Sequence, residues 1–269
     1  MSLNVSIVLY NHSVPQIEPL VAVLRKSNMV SQIYLIDNSD IGQPDFAGLD
    51  AVYIKNIKNT GYGSAHNIAI SKSISSHTDY HLVVNPDIMF ESDIFNGIVA
   101  FMNKNTEIGH LMPKVCYPTG EIQYLCKLLP TPFDLIFRRF FPSEWTKKRR
   151  DYFELRASGY DKIMDVPYLS GCFMFLRVKA LEETGLFDER FFMYPEDIDL
   201  TRRINSKYRT VFYPYLTIVH HHAKSSYVDR KMLLIHIANM IKYFNKWGWF
   251  FDAERRKVNK ATIRAIFGK

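Results

Sequence analysis

The segment FFMYPEDIDL, residues 191–200, sets Glu196, Asp197 and Asp199 against a run of aromatic and aliphatic side chains. A carboxylate beside an apolar wall has a raised proton affinity, which suits a general base that takes a proton from an incoming hydroxyl. Pro195 marks a helix start just before the acids, where unpaired backbone N–H groups and the helix dipole also favour negative charge. Helix-end electrostatics can account for Glu196 or Asp199 entirely, but they leave the aromatic wall unexplained. A further acid, Asp87 in NPDI, is held in a turn by Pro86 after an apolar run. It is placed as a hard oxygen ligand for Mg²⁺ or Mn²⁺, ions that take few protein carboxylates and fill their shells with phosphate oxygens and water. The triple His220-His221-His222 offers a partner at the end of another apolar run. Successive strand residues face opposite sides, so His220 and His222 share a side and all three cannot serve one ion.

TGYGSAHN, residues 60–67, carries a Gly-x-Gly pair but has His66 where a dinucleotide fingerprint needs its third glycine, and it follows the third strand instead of the first. A nicotinamide or flavin site is not expected. The glycines still let backbone pass close to a ligand, with Asn67 facing it from the first helical turn.

These residues need elements to hold them. VSIVLY reads as a short buried strand ending at Asn11-His12-Ser13, and Pro15 then opens a helix with Ile17, Leu20, Val21 and Leu24 on one face. QIYLIDNS repeats the design, with Asp37 at the strand exit; AVYIKN is a third strand, and HLVVNPDIMF a fourth that stops at Asn85-Pro86-Asp87. Apolar strands alternating with helices predict a mostly parallel α/β sheet covered on both faces, which binds ligands beyond the carboxyl ends of its strands. Asn11, Asp37 and Asp87 all fall at such ends; each residue type is also common in plain loops and caps, and it is their recurrence that points to a site. From about Gly109 to Val166 the alternation fails among five prolines, and the segment is expected to be an irregular excursion on the acceptor side. A strand over Tyr168–Arg177, the helix KALEETG, a helix DLTRRINSKY, the strands TVFYPY and LTIVHHH, and two C-terminal helices complete the chain.

The 269 residues suffice for one sizeable core plus an appendage, and 47% apolar with 23% charged residues is ordinary for a globular protein. Three widely spaced cysteines argue against a disulfide framework and fit a reducing cytoplasm. No leader peptide and no membrane span is predicted. The net charge of +7 invites an anionic partner. Its basic residues gather in RRFFPSEWTKKRR (138–150) and ERRKVNKATIR (254–264), both beside aromatics, which suits an anionic membrane surface better than a nucleic-acid groove.

The ordered series SIVLYN, IDNSD, NTGYGSAHN, VVNPDI, YLSGCFMFLR, GLFDERFFMYPEDIDLTRRI and IVHHHAKSS resembles the family 2 inverting glycosyltransferases of the GT-A fold, in particular the bacterial rhamnosyltransferase-like branch that builds O-antigen and other surface polysaccharides. The resemblance covers about Ser6 to Ser226. It implies a Rossmann-like GT-A domain over 1–226, with 227–269 as a basic, aromatic helical extension. It implies that Tyr10 and Asn11 line the nucleotide pocket, that Asp37 hydrogen-bonds the base, and that Asn67 lies near the nucleotide. Asp87 stands at the metal-binding acid of the family's D-x-D element, but its first acid is here Asn85, a weaker ligand that can bond a ribose or sugar hydroxyl. Asp197 stands at the catalytic base with Glu196 beside it, and His220 at the metal-contacting histidine, with His222 as the fallback. The implied partners are a dTDP- or UDP-linked sugar, dTDP-rhamnose first, and a lipid-linked glycan acceptor at the cytoplasmic face of the inner membrane. There Trp247, Trp249, Phe250 and Phe251 with Arg255, Arg256 and Lys257 would seat the chain. Two rival readings are a metal-dependent nucleotide phosphohydrolase and a catalytically silent binding module.

Overall fold

A computed structural model describes residues 1–40, 46–91, 94–137, 141–221 and 230–268. Strand β1 (Leu3–Leu9) is buried along its length and leads through Ser13, the N-cap of a capping box with Gln16, into α1 (Val14–Arg25). The buried face of α1 is Ile17, Leu20, Val21 and Leu24, as its periodicity predicts. β2 (Val30–Asp37), β3 (Val52–Lys55), α2 (Tyr62–Ser75) and β4 (Tyr80–Val84) follow. β2, β1 and β4 lie side by side in parallel with β3 outside β2. Asn4 and Ser6 put polar groups under α2, and both are satisfied: Asn4 by Ser73 and Thr78, Ser6 by His66 and His81.

After β5 (Ile88–Met89) and α3 (Ile94–Lys104), the expected irregular excursion instead begins with a nine-residue strand, β6 (Ile108–Cys116). Pro113 obscured it, because a proline inside a strand removes a ladder donor and reads as a breaker. The sheet absorbs the defect by a register shift in β11 (Arg209–His220) between Tyr213 and Thr217, beside Pro113. The two late strands expected from sequence are therefore one strand with a local irregularity. β10 (Phe173–Arg177) inserts antiparallel between β4 and β6, completing the order β3-β2-β1-β4-β10-β6-β11-β5. β8 (Met164–Asp165) pairs with β11, and β7 (Cys126–Lys127) with β9 (Tyr168–Leu169). The sheet is parallel at its N-terminal half and mixed beyond it.

The remaining helices are α4 (Pro132–Leu135), α5 (Ser143–Phe153), α6 (Val178–Thr184), α7 (Glu196–Asn205), α8 (Arg230–Trp247) and α9 (Ala253–Phe267). Tyr243, Phe244 and Ile266 of the last two belong to the same apolar cluster as the sheet. Arg202 of α7 forms a bidentate pair with Asp252 while its guanidinium lies 4.0 Å from the Trp247 ring centroid, and Arg255 bonds Pro130 O. Trp247 and Arg255, expected at a membrane surface, thus turn inward, because each finds buried partners; Phe250, Phe251, Arg256 and Lys257 stay exposed. No helix among the described residues is long and apolar enough to cross a membrane. His222, Arg138 and Arg139, together with the boundary at 226/227, lie outside the described residues.

Candidate functional site

At the exit of β1, Tyr10 and Asn11 are exposed, and Asn11 takes a left-handed φ of 56° while its N–H donates to Ser39 Oγ at 2.7 Å. At the exit of β2, Asp37 is fully buried. Its Oδ1 accepts from Ser39 N (2.8 Å) and Ser39 Oγ (2.5 Å), and its Oδ2 from Tyr53 OH (2.6 Å) and Lys55 Nζ (3.4 Å). Those bonds hold its pKa below the ordinary value even though burial, the largest single influence, pushes upward. A ligand that bonded Asp37 would have to share or displace Tyr53 or Lys55. Asn67 bonds both N and O of Phe187 and also Glu189, so its amide is spent on joining α2 to the 187–189 loop.

β5 and β11 pair antiparallel with His220 opposite Ile88, and this register sets His220 beside Asp87: Nε2 lies 3.3 Å from Oδ1. His221 N donates to Asp87 O at 2.9 Å and tightens the same corner. Gln123 was missed by sequence reasoning. Its Nε2 donates to the His220 carbonyl (2.9 Å), so Oε1 is the acceptor facing His220 Nδ1 at 2.9 Å. Nδ1 then carries a proton, and in the neutral ring Nε2 presents its lone pair to the carboxylate. Two electron-rich atoms so placed are stabilised by a cation or shared proton between them. Neighbouring ligands of an octahedral ion at about 2.0–2.2 Å stand about 3 Å apart, so the pair fits a shared Mg²⁺ or Mn²⁺. Among the described residues no group of three or more His, Cys, Asp and Glu side chains converges on one point. An ion here would complete its shell from a ligand and water.

The second corner is the start of α7. Gly171 N donates to Asp197 Oδ2 at 2.9 Å and Ile198 N to Oδ1 at 2.7 Å. Burial pushes the Asp197 carboxyl up to about 6, against the pull of those amides and of Lys127, which stacks over Tyr168. Glu196 is buried deeper in charge terms: no hydrogen-bond partner meets its Oε2, and desolvation, then the Asp197 charge, hold it protonated well above the usual carboxylate range. The adjacent acids are therefore pushed apart, one poised to ionise and one kept neutral. Asp199 does something else: Oδ2 accepts from Arg203 Nε (2.8 Å), while Oδ1 accepts from Trp247 Nε1 (2.8 Å) and pairs with Lys246. It ties α8 to α7.

Tyr62, the tyrosine of TGYG, joins the corners. Its hydroxyl lies 2.9 Å from both Asn85 Oδ1 and Gly171 O, and Asn85 N donates to Cys172 O at 2.9 Å. The charges of Asp87 and Asp197 both bear on Tyr62 and on Cys172, so the two carboxylates flank one wall. The approach of the 191–195 loop to α2 depends on Gly61, where an added Cβ would stand 2.3 Å from Phe192 O, the acceptor of Tyr62 N. His12 also faces this region. Burial lowers its pKa, and Asp87 and Asp37 oppose that shift.

No family profile matches the chain. Its sheet and helices superpose on glycosyltransferase structures: GalNAc-T7 with UDP, GalNAc and Mn²⁺ (TM-score 0.61, 12% identity, 97% of this chain and 54% of that one) and the mannosyltransferase PcManGT from Pyrobaculum calidifontis with GDP-Man and Mn²⁺ (0.53, 15%, 98% and 74%). S. aureus TarS 1–349 also matches, with TM-score 0.57, 14% identity, and coverage of 100% of this chain and 72% of that one. The fold is GT-A, and in fold and sequence the chain is similar to glycosyltransferases, as the sequence resemblance implies. Within that class it is similar to rhamnosyltransferases. It is 27% identical over 182 residues, 62% of the chain, to N-acetylglucosaminyl-diphospho-decaprenol L-rhamnosyltransferase of Mycobacterium tuberculosis, and 26% identical over 213 residues to rhamnosyltransferase WbbL of Escherichia coli K12, 74% of each chain. The chain spans 58% of the length of the mycobacterial relative.

Proposed function

We propose that the protein is an inverting glycosyltransferase that moves L-rhamnose from dTDP-rhamnose to a hydroxyl of a lipid-linked glycan in surface polysaccharide assembly. One observation carries this reading: a buried carboxyl poised near pH 6, Asp197, shares a wall with the Asp87–His220 pair. Asp197 takes the proton of the acceptor hydroxyl, whose oxygen attacks the anomeric carbon on the face opposite the leaving diphosphate, inverting it in one displacement. Asp87 and His220 would hold Mg²⁺ or Mn²⁺, which would supply positive charge against the leaving diphosphate. Asn85 bonds a sugar or ribose hydroxyl; Tyr10, Asn11 and Asp37 line the nucleotide side. Glu196 stays protonated and spares the site a second buried charge. The GT-A domain is assigned to 1–226 and the extension to 227–269, with the acceptor met at the cytoplasmic face of the inner membrane. The similarity to rhamnosyltransferases, one named for a diphospho-decaprenol acceptor, supports the choice of sugar and of a lipid carrier.

The test is thermal-shift and turnover measurement with a panel of nucleotide sugars and Mn²⁺ or Mg²⁺. Stabilisation by dTDP-rhamnose over UDP- and GDP-sugars supports the reading; hydrolysis of the donor at full rate without acceptor favours a phosphohydrolase instead. Since the base must be ionised, kcat/KM should fall about tenfold per pH unit below about pH 6 and level off above it. A flat profile between pH 5 and 8 would remove Asp197 from the proton transfer. Gln123→Leu should weaken Mn²⁺ binding by about 10–100-fold, because His220 loses the acceptor that sets its tautomer. Isothermal titration with Mn²⁺ measures this without turnover, and Gln123→Glu, which retains the acceptor, should restore much of it.

A further inference from the structure

Several of the most exposed aromatic side chains lie in two segments far apart in sequence that the fold brings together. Trp145 of α5 is 79% exposed, and Phe250 and Phe251, in the turn between α8 and α9, are 69% and 89% exposed. Arg255 joins the segments: Nη1 donates to Pro130 O, just before α4 and α5, and Nη2 to Trp249 O and Phe250 O. Asn259, one turn on, bonds both N and O of Leu129. A single buried guanidinium thus holds the α8–α9 turn beside the base of the α4–α5 segment.

Both segments carry unspent positive charge. On α5, Trp145, Lys148 and Tyr152 recur at helical spacing on one exposed face, and the neighbouring Asp151 is engaged by Lys147. On α9, Arg256, Lys257, Lys260 and Arg264 fall within about a 100° arc and are all exposed, while Glu254 is held by Arg202. Aromatic tips flanked by lysine and arginine, with Asp151 and Glu254 in ion pairs and Glu144 bonded to Ser143, match a surface that is apolar at its boundary and anionic at its headgroups.

We infer that the α5 helix and the α8–α9 turn with α9 form one docking face for an anionic lipid bilayer, with Trp145, Phe250 and Phe251 entering the interface and the α9 basic stripe lying on the headgroups. This deepens the proposed function and rests on it only for the lipid-linked acceptor. Trp247 takes no part, since its ring is covered by Arg202 and its N–H is bound to Asp199.

The test is co-sedimentation of the full chain with vesicles of phosphatidylglycerol and phosphatidylcholine, or of phosphatidylcholine alone, without donor or acceptor. Binding to the anionic vesicles is expected, and it should weaken with added salt. Phe250→Ser/Phe251→Ser should cost about tenfold in affinity. Arg256→Gln/Lys257→Gln/Lys260→Gln should cost about fivefold per charge on anionic vesicles only. Trp145→Ala should weaken binding by a similar factor of about five, because α5 shares the face. Unchanged melting temperature and donor-induced shift in each variant show that the fold and donor site are intact, so failure here is separable from failure of the transferase reading. Equal binding to neutral and anionic vesicles would overturn the inference. So would wild-type binding by either aromatic variant, or self-association that Phe250→Ser/Phe251→Ser abolishes in a chain that ignores vesicles.

Discussion

Asp197→Asn should lose transfer by at least about 10²–10⁴-fold while the donor-induced thermal shift remains. The amide is isosteric and keeps one oxygen for the Gly171 or Ile198 N–H, but it cannot accept the acceptor's proton. The same change gives up one backbone N–H bond at every pH, and it also removes a penalty that depends on pH. Burial raises the Asp197 pKa to about 6, so its contribution to stability is fully present only below the ordinary carboxylate range and is lost as pH rises through about 6. The wild type therefore bears the cost of a buried charge at pH 8, a cost on the order of 2–3 kcal/mol that the variant avoids. The melting temperature of Asp197→Asn minus that of the wild type should thus grow from about pH 4 to about pH 6 and level off above about pH 7. A base placed for function at the expense of stability has this signature; a difference constant with pH, together with retained turnover, would mark Asp197 as structural.

The opposite pattern is expected two residues on. Asp199→Asn removes the one carboxylate that Arg203, Lys246 and the Trp247 N–H share; Lys246 keeps Asp188, while Arg203 is left with the carbonyls of Thr184, Gly185 and Leu186 and without its carboxylate. Breaking one side of a buried ion pair costs about 3–5 kcal/mol, and the partners that Lys246 and Arg203 retain put this case at the low end. At about 2–4 °C per kcal/mol for a chain of this size, the melting temperature should drop by roughly 10 °C. Hydrogen exchange should accelerate in α8, which Lys246 and Trp247 anchor to α7. Turnover per folded molecule below the transition should change far less than in Asp197→Asn. A variant with wild-type melting and lost turnover would instead place Asp199 in the chemistry.

Three acids in four residues therefore divide into three roles, and the division shows where sequence reasoning stopped. Glu196, Asp197 and Asp199 all carry the local marks of a helix start after Pro195, so composition alone leaves them equivalent. What separates them is distant in sequence: the Gly171 amide 26 residues from Asp197, and the Trp247 indole 48 residues from Asp199. Gln123 was invisible for the same reason, since its partner His220 is 97 residues away and lies on a strand that no local pattern pairs with the 117–123 turn. Strand β6 escaped because Pro113 breaks a local pattern that the neighbouring strand β11 repairs by changing register.

The sequence by itself determined the alternation of buried strands and amphipathic helices, the polar strand exits at Asn11, Asp37 and Asp87, and the acid-rich helix start. Each of these is written in a period of 2 or 3.6 residues, or in a cap, within one short segment. Only the tertiary structure decided that β10 runs antiparallel between β4 and β6, that His220 reaches Asp87, and that Tyr62 links the two corners. It also decided that Asp37 and Asn67 are already enclosed by their own partners. Hydrogen bonds and desolvation act through space, so a side chain's proton affinity and its available lone pairs depend on neighbours that the local sequence does not contain.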